Sequence, residues 1–455
     1  MTRRGLSIWL DAADPPGSPL IGDVHADVVV IGAGFTGLWT AIELTDRDRS
    51  LEVVVLESET VAHGASGRNG GFIDASLTHG LHNGLAHFPD EIDELIRLGN
   101  DNLAAIFAFV REHGIDADLL SVGETAVATE PWQVEELAEA VEVFERAGER
   151  VQLLDADQMR KRVDSPTYLA GLHRPDSAGT VDPGALARGL ARVARERGVV
   201  IHERSAVTSL VRDGGVLVRT AQGSVRAEQA VLATNAYSHR VLPRVGRWFV
   251  PVYDYVLATA PLTADQLGRI GWEGREGLAD SANQFHYYRL TPDDRILWGG
   301  YDAIYRFGSR VDPACDHRRA TYDLLARNFR RTFPQLDDVP FERWWGGPIA
   351  TTTRFTVTFG EELGGRVVWA LGYTGLGVAA SRFAAQVLGD KLLDPSSRRL
   401  DLRLASTKPF PFPPEPLRWA GVQLTRRAIA AADRREGRRG PWLSTLDRFG
   451  IGFDS

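Results

Sequence analysis

Three glycine-rich clusters and one acidic residue hold the spacing in this chain that can do chemistry. Gly32-Ala33-Gly34-Phe35-Thr36-Gly37 follows the apolar run DVVVI, and Glu57 stands at the end of a second apolar run, LEVVVLE. In such an order the first glycine permits a tight turn and the second lets a pyrophosphate approach the backbone. The third lets a helix pack on a strand, and the helix start offers partial positive charge to the phosphates. Glu57 would accept hydrogen bonds from an adenosine ribose and repel a 2′-phosphate. The pattern predicts a bound dinucleotide, NAD or FAD. A polar cluster, His63-Gly64-Ala65-Ser66-Gly67-Arg68-Asn69-Gly70-Gly71, comes soon after the carboxylate. Gly372-Tyr373-Thr374-Gly375-Leu376-Gly377-Val378 lies at another strand-to-helix turn.

Elements must hold these clusters. Residues 27–57 read as buried strand, glycine turn, amphipathic helix and buried strand, a parallel unit. The stretch 184–238 reads as helix, strand, a meander turning at Gly214 and Gly223, and a final buried strand. Residues 366–393 repeat strand, turn and helix, so the nucleotide unit is expected to be assembled from separate pieces. Helices are expected from Pro89 to His113 and from Trp132 to Gly148. Between Trp248 and Trp344 aromatic and polar residues alternate, as in FVPVYDYVLAT and QFHYYRLTPDDRILWGGYD, which predicts an antiparallel second domain. After PFPFPPEP, an arginine-rich helical segment runs to Arg439. It reads as a solvated helix packed on its own domain, with an acidic surface, another subunit or anionic lipid as alternative partners.

Composition narrows the classes. A length of 455 residues suggests two or three domains. A formal charge of −8 gives no basis for a nucleic-acid footprint, and small molecules are the expected partners. One cysteine, Cys315, forbids an intrachain disulfide and a multi-cysteine metal site, and reads as an inert or surface thiol. The opening MTRRGLSIWLDAADPP has too short an apolar run for a signal peptide, and no window spans a membrane, so a cytoplasmic protein is expected.

HGASGRNGG, QFHYYRLTPDDR, RWWGGPIATTTR and ALGYTGLGV occur in that order. With them the chain resembles the D-amino-acid oxidase superfamily of flavoproteins, in the branch of glycine, sarcosine and gamma-glutamylputrescine oxidases, over about residues 25 to 400. The resemblance implies an α/β plus α+β fold: a Rossmann-like FAD-binding domain of the GR2 type with an antiparallel-sheet substrate domain inserted. The FAD domain would comprise 25–90, 170–245 and 346–400, the substrate domain 91–169 and 246–345, and a Pro/Arg-rich helical extension 401–455.

It further implies that Gly32, Gly34, Phe35, Thr36 and Gly37 meet the pyrophosphate, and Glu57 and Ser58 the ribose. Ser66, Gly67, Arg68, Asn69, Gly70 and Gly71 would run along the ribityl chain and flavin ring. The backbone of Val207 would meet the adenine, and Thr234 and Asn235 would close the nucleotide side. Gly346, Gly372 and Tyr373 would border the flavin. Gly375, Leu376 and Gly377 would offer N–H groups at a helix start to its pyrimidine end, where negative charge gathers on reduction.

Because alternate residues of a strand share a face, Tyr253, Tyr255, Tyr287, Arg289 and Tyr373 are expected to line the substrate pocket, with Trp298 beside them. Arg68, Tyr288 and Trp345 are the expected catalytic residues. Arg289 and Arg354 are candidates to fork a carboxylate.

The implied reaction oxidises the C–N bond of an amine or amino acid to an imine by hydride transfer to flavin N5, with O2 as acceptor and H2O2 as product. A dehydrogenase with another electron acceptor, an alcohol oxidase and a non-catalytic flavoprotein scaffold are the alternatives. Two departures from the family bear on this. Sarcosine oxidases attach flavin to a cysteine after the WGG motif, where this chain has IATTTRFTVTF. Dimethylglycine dehydrogenase relatives use a histidine where Arg68 stands, one turn past His63. Noncovalent FAD is therefore expected. Sarcosine oxidases also place a lysine near the flavin for oxygen, and here the only lysines are Lys161, Lys391 and Lys408.

Overall fold

In the computed structural model, which describes residues 3–4, 7–11 and 16–451, the valine runs form the floor of a parallel sheet. Val28 to Ile31, at most 2% exposed, are the inner end of the strand Gly22–Ile31. That strand pairs in parallel with Val53–Leu56 on one side and Gly223–Leu232 on the other, and Val200–His202 extends the sheet beyond Val53–Leu56. Each fully buried Val, Ile or Leu contributes roughly 1.5–3 kcal/mol, which makes the middle of this sheet the most secure part of the unit. Helix Phe35–Arg47 packs against Pro183–Glu196 and Gly377–Leu393. Pro183 opens its helix and the Asp182 carboxylate caps it, accepting the Ala185 N–H at 2.8 Å. The meander Ser209–Asp213, Gly215–Arg219, Gly223–Leu232 turns where expected at Gly214, with φ +74°. Strand Val367–Leu371 joins last, in parallel with Ala230, Val231 and Leu232.

The second sheet has ten strands. From one edge its order is Arg3–Arg4, Phe341–Thr351, Val250–Thr259, Ile296–Gly300, His286–Leu290, Gly277–Asp280, Glu124–Ala128, Ala170–Arg174 and Gln152–Asp155, with Ile304–Tyr305 beside Val250–Thr259. The expected antiparallel pairing holds except at two junctions, Gly277–Asp280 with Glu124–Ala128 and Arg3–Arg4 with Phe341–Thr351, which are parallel. One face is covered by helix Arg319–Thr332 and the other by the nucleotide unit.

Two sequence-based boundaries shift, and a small sheet is added. Ala170–Arg174 belongs to the second sheet, because its two edges pair with Glu124–Ala128 and Gln152–Asp155, so the chain returns to the nucleotide unit only near Asp182. Phe341–Thr351 runs unbroken through the expected division at 345/346. Phe72–Asp74 pairs with Ala178–Thr180 in a small sheet of its own.

The arginine-rich segment forms the helices Leu417–Asp433 and Pro441–Arg448, and Asp433 holds the first in place by accepting the N–H groups of Asn283 and Gln284. Of the opening segment, residues 1–2, 5–6 and 12–15 lie outside the described residues, as do 452–455 of the C-terminal extension. Among the described residues no helix is long and apolar enough to cross a membrane.

Candidate active site

The fingerprint glycines do what their positions require. Gly32 has φ +106°, and a Cβ there would stand 2.9 Å from the Ala233 carbonyl oxygen. A Cβ on Gly37 would lie 1.9 Å from the Gly32 carbonyl oxygen, so only glycine lets the helix sit on its strand. Beyond Gly34 a side chain would meet nothing but Ser66, whose Oγ accepts the Phe35 N–H at 2.9 Å. Glu57 Oε2 accepts the Ala33 N–H at 2.8 Å, and its Oε1 takes the Glu59 N–H and the Ser58 hydroxyl, each at 3.0 Å. Burial raises the Glu57 pKa and these donors oppose the rise, so the fold itself holds the carboxylate at the end of its strand.

A second helix start converges on the first. Neither Gly34 nor Leu376, which cap helices Phe35–Arg47 and Gly377–Leu393, supplies a side-chain cap, so both helices keep N–H groups for another acceptor. The Thr36 hydroxyl and the Tyr373 hydroxyl, 2.7 Å apart, tie the two starts together. Gly375, with φ +102°, has open space where a Cβ would be. Asn235 Oδ1 accepts the Gly372 N–H at 3.0 Å and thereby fixes the turn, while Thr234 bonds Ser238. Val207 is half-buried in the irregular stretch before Ser209–Asp213 rather than in a strand.

The loop between these parts is self-bonded. Asn69 Nδ2 donates to the Ala65 and Ser66 carbonyls and its Oδ1 accepts the Gly71 N–H, and a Cβ on Gly67 would strike the Ala62 carbonyl oxygen at 2.5 Å. Arg68, only 5% exposed, pairs with Asp316 at 2.6 Å and donates to the Gly346 carbonyl at 3.2 Å. Its Nε donates to the His63 carbonyl and its Nη2 to the His63 ring at 3.0 Å. Burial and the neighbouring guanidinium push the His63 pKa down to about 4, so the ring is neutral at pH 7. Trp345 Nε1 donates to the Arg68 carbonyl at 2.8 Å, which brings two of the three expected catalytic residues together.

The third is elsewhere. Tyr253, Tyr255, Tyr288 and Trp298 are fully buried on the face under helix Arg319–Thr332, turned away from the nucleotide unit. Tyr288 accepts the Tyr168 hydroxyl at 2.9 Å, and Tyr255 donates to the Cys315 carbonyl at 2.8 Å. The alternation is real, but these aromatics occupy its other phase. Tyr373 packs in the nucleotide unit's core and not on the sheet. Cys315 is buried rather than on the surface. Arg289 and Arg354 are also committed. Arg289 donates to the Gly71 and Val181 carbonyls, each at 2.7 Å, and Arg354 donates to Thr356 and Thr407. Burial lowers the pKa of each to about 10.

On the face toward the nucleotide unit stand Trp345, Tyr287 and a residue that sequence reading passed over, Asp254. Tyr287 packs against Gly70, where a Cβ would be 2.6 Å from its ring, and donates its hydroxyl to Asp254. A charge alternating with Tyr253 and Tyr255 in FVPVYDYVLAT was the available signal. Trp9 and Asp316 were likewise missed: Trp9 Nε1 donates to the Asn69 carbonyl at 2.9 Å. Neither carries a spacing pattern.

A glycine fingerprint with an oriented carboxylate, two helix starts without a cap from their own N-cap residues and a facing sheet fit FAD, and they define a two-unit flavoprotein oxidoreductase. A family model described as DAO, FAD dependent oxidoreductase, matches residues 27–391. The chain belongs to this family, and FAD is its cofactor. It is 32% identical over 426 residues to gamma-glutamylputrescine oxidoreductase of Escherichia coli, covering 91% of this chain and 94% of that one. It is 31% identical to the probable oxidoreductase OrdL of Haemophilus influenzae, over 84% and 86% of the two chains. Among solved structures, glycine oxidase from Geobacillus kaustophilus shares the fold with TM-score 0.68 and 20% identity, covering 81% of this chain and 94% of that one. L-proline dehydrogenase from P. horikoshii does so with TM-score 0.69 and 19% identity, covering 83% and 96%.

Proposed function

We propose that this flavoenzyme oxidises the C–N bond of a small amine to an imine, with FAD held noncovalently. The observation that carries this is the near full-length similarity to gamma-glutamylputrescine oxidoreductase, 91% of one chain against 94% of the other. FAD, when bound, would supply the acceptor for a hydride, and with it the two electrons, from the carbon beside nitrogen. The protein's share is position and electrostatics. Gly34 and Thr36 would present backbone to the pyrophosphate and Glu57 would hold the ribose. The helix start at Gly377 would favour negative charge nearby. Arg68, clamped by Asp316, His63 and Gly346, fixes the loop that separates the two units. Noncovalent attachment is supported by Cys315 being enclosed in the sheet's core and by the His63 ring being engaged with Arg68.

Oxygen is the acceptor in the first reading. A specific observation favours the second, a dehydrogenase: the Arg68 charge is already neutralised by Asp316, and two of the lysines are occupied elsewhere, Lys391 with Glu361 and Lys408 over the Trp369 ring. An anaerobic titration of the flavin band with amines, N-methyl amino acids and D-amino acids, followed by air, tests both. Bleaching by an amine with fast recovery and peroxide establishes an oxidase, and bleaching with slow recovery a dehydrogenase. No bleaching by any amine would remove the reading.

A further inference from the structure

One carboxylate on the face of the sheet toward the nucleotide unit has no cationic partner among the described residues. Asp254 lies in Val250–Thr259, opposite Gly347 of the neighbouring strand. Its Oδ2 accepts the Tyr287 hydroxyl and its Oδ1 the Tyr255 N–H at 2.8 Å. The Gly300 N–H is its third donor, and among the described residues no lysine, arginine or histidine pairs with it; the nearby Arg68 guanidinium is turned to Asp316. Glycines beside it make room for the side chains that border it. A Cβ on Gly299 would lie 2.4 Å from the Tyr287 ring, and one on Gly347 would lie 3.3 Å from Arg68 Cδ. Tyr287 and Asp254 therefore stand wedged against the Arg68 loop.

Burial disfavours the charged carboxylate and its three hydrogen-bond donors offset only part of that cost, which an arriving cation would relieve. A substrate carboxylate would find no such welcome. The guanidinium groups of Arg68, Arg289 and Arg354 are all spent on protein acceptors.

We propose that Asp254, oriented by the Tyr287 hydroxyl, is the residue that binds the substrate's amine, and that the site takes the free end of an alkylamine in preference to an α-amino acid. This rests on the amine reading above. The substrate arrives as an ammonium ion and pairs with the carboxylate. One proton then passes from nitrogen to a carboxylate oxygen, breaking an N–H bond and forming an O–H bond, which leaves the neutral amine that oxidation requires. Tyr287 keeps the accepting oxygen in place throughout.

The test uses the FAD-loaded protein and its Asp254→Asn and Tyr287→Phe variants, with flavin content and Tm checked for each. Anaerobic flavin reduction is followed with butylamine and N-acetylputrescine as alkylamines, and with glycine and sarcosine as amino acids. Binding of tert-butylamine, which has no C–H beside nitrogen, is read from the shift of the flavin band. The wild type should be reduced at least about tenfold faster by the alkylamines. Asp254→Asn should keep its flavin, bind tert-butylamine at least about tenfold more weakly, and be reduced about a hundredfold more slowly by alkylamines. Tyr287→Phe should fall between the two. Equal binding and reduction in the Asn variant overturns the assignment while leaving the amine reading intact, and a wild-type band that tert-butylamine does not move counts against it too. Faster reduction by glycine or sarcosine overturns the alkylamine preference. Failure of every amine to reduce the wild-type flavin removes the amine reading itself. Should the Asn variant lose its flavin, Tyr287→Phe decides, and unchanged amine affinity there overturns the proposal.

Discussion

The two faces of the ten-stranded sheet are made from the same strands and are opposites. Toward helix Arg319–Thr332 the face is aromatic and dense: the Trp298 and Tyr288 rings lie 4.5 Å apart, tilted by 30°, and Phe329 and Phe333 close over them. Toward the nucleotide unit the same strands offer Gly299, Gly347, Asp254, Tyr287 and Trp345. The first face gains stability from apolar area, while the second gives it up by burying a carboxylate and leaving out side chains. Adjacent residues such as Tyr287 and Tyr288 thus have unrelated duties, and a mutation's consequence depends on strand phase more than on residue type.

This contrast can be broken at either face. The largest effect is expected from Trp298→Ala, which should cost about 3–5 kcal/mol in denaturant unfolding while leaving the reduction rate per bound flavin unchanged. A slower reduction with unchanged stability would reverse the assignment of faces. Next, Asp316→Asn leaves the Arg68 charge unpaired in a buried place and should cost about 3 kcal/mol. If a neutralised Arg68 is what slows oxygen, air reoxidation of the reduced flavin in this variant should accelerate by about tenfold, and an unchanged rate would dissociate Arg68 from oxygen chemistry.

Asp254 gives a pH signature. Burial raises its pKa to about 6, partly opposed by the Tyr287 hydroxyl, against an ordinary carboxyl value near 3.8. The folded protein then holds more protons than the unfolded one between those values, so stability falls as pH rises from about 4 to 6. Asp254→Asn should therefore be more stable than wild type at pH 8, by roughly 1–3 kcal/mol, and gain nothing near pH 3.8. A variant that is more stable and less active is the mark of a group kept for function. The smallest effect should come from Tyr253→Phe, which removes one hydroxyl bonded to Asp312 on the packed side: below about 1 kcal/mol and kinetically silent.

The nucleotide unit was legible because its chemistry is written in local spacing. Gly32, Gly34, Gly37 and Glu57 are fixed by a turn, a helix start and a strand end, all within one supersecondary unit. The sheet's site was less legible. Alternation shows that a strand has two faces without saying which one meets the cofactor, and Tyr253, Tyr255 and Tyr288 fall on the face that a distant helix, Arg319–Thr332, claims. Arg289 and Arg354 look like ligand arginines until carbonyls and hydroxyls remote in sequence, Gly71, Val181 and Thr407, are seen to occupy them. The boundary at 170 was missed because Ala170–Arg174 is a buried strand that either sheet could have used, and only its pairing with Gln152–Asp155 decides.

The late arrival of Val367–Leu371 beside Ala230, Val231 and Leu232 has a consequence for biosynthesis. When Leu232 has been made, the upper edge of the parallel sheet is open, and the strand that covers it is more than a hundred residues away. At about 5–20 residues per second the ribosome leaves that apolar edge uncovered for roughly ten seconds. The helix start at Gly377 follows later still, so the nascent chain passes through a period in which the Gly32–Gly37 turn is formed and its partner is not. If FAD is held between the two helix starts, as proposed, its supply during translation cannot rescue this intermediate, because the second start has yet to be synthesised. Expression yield should consequently depend on chaperones that shield strand edges more than on flavin in the medium.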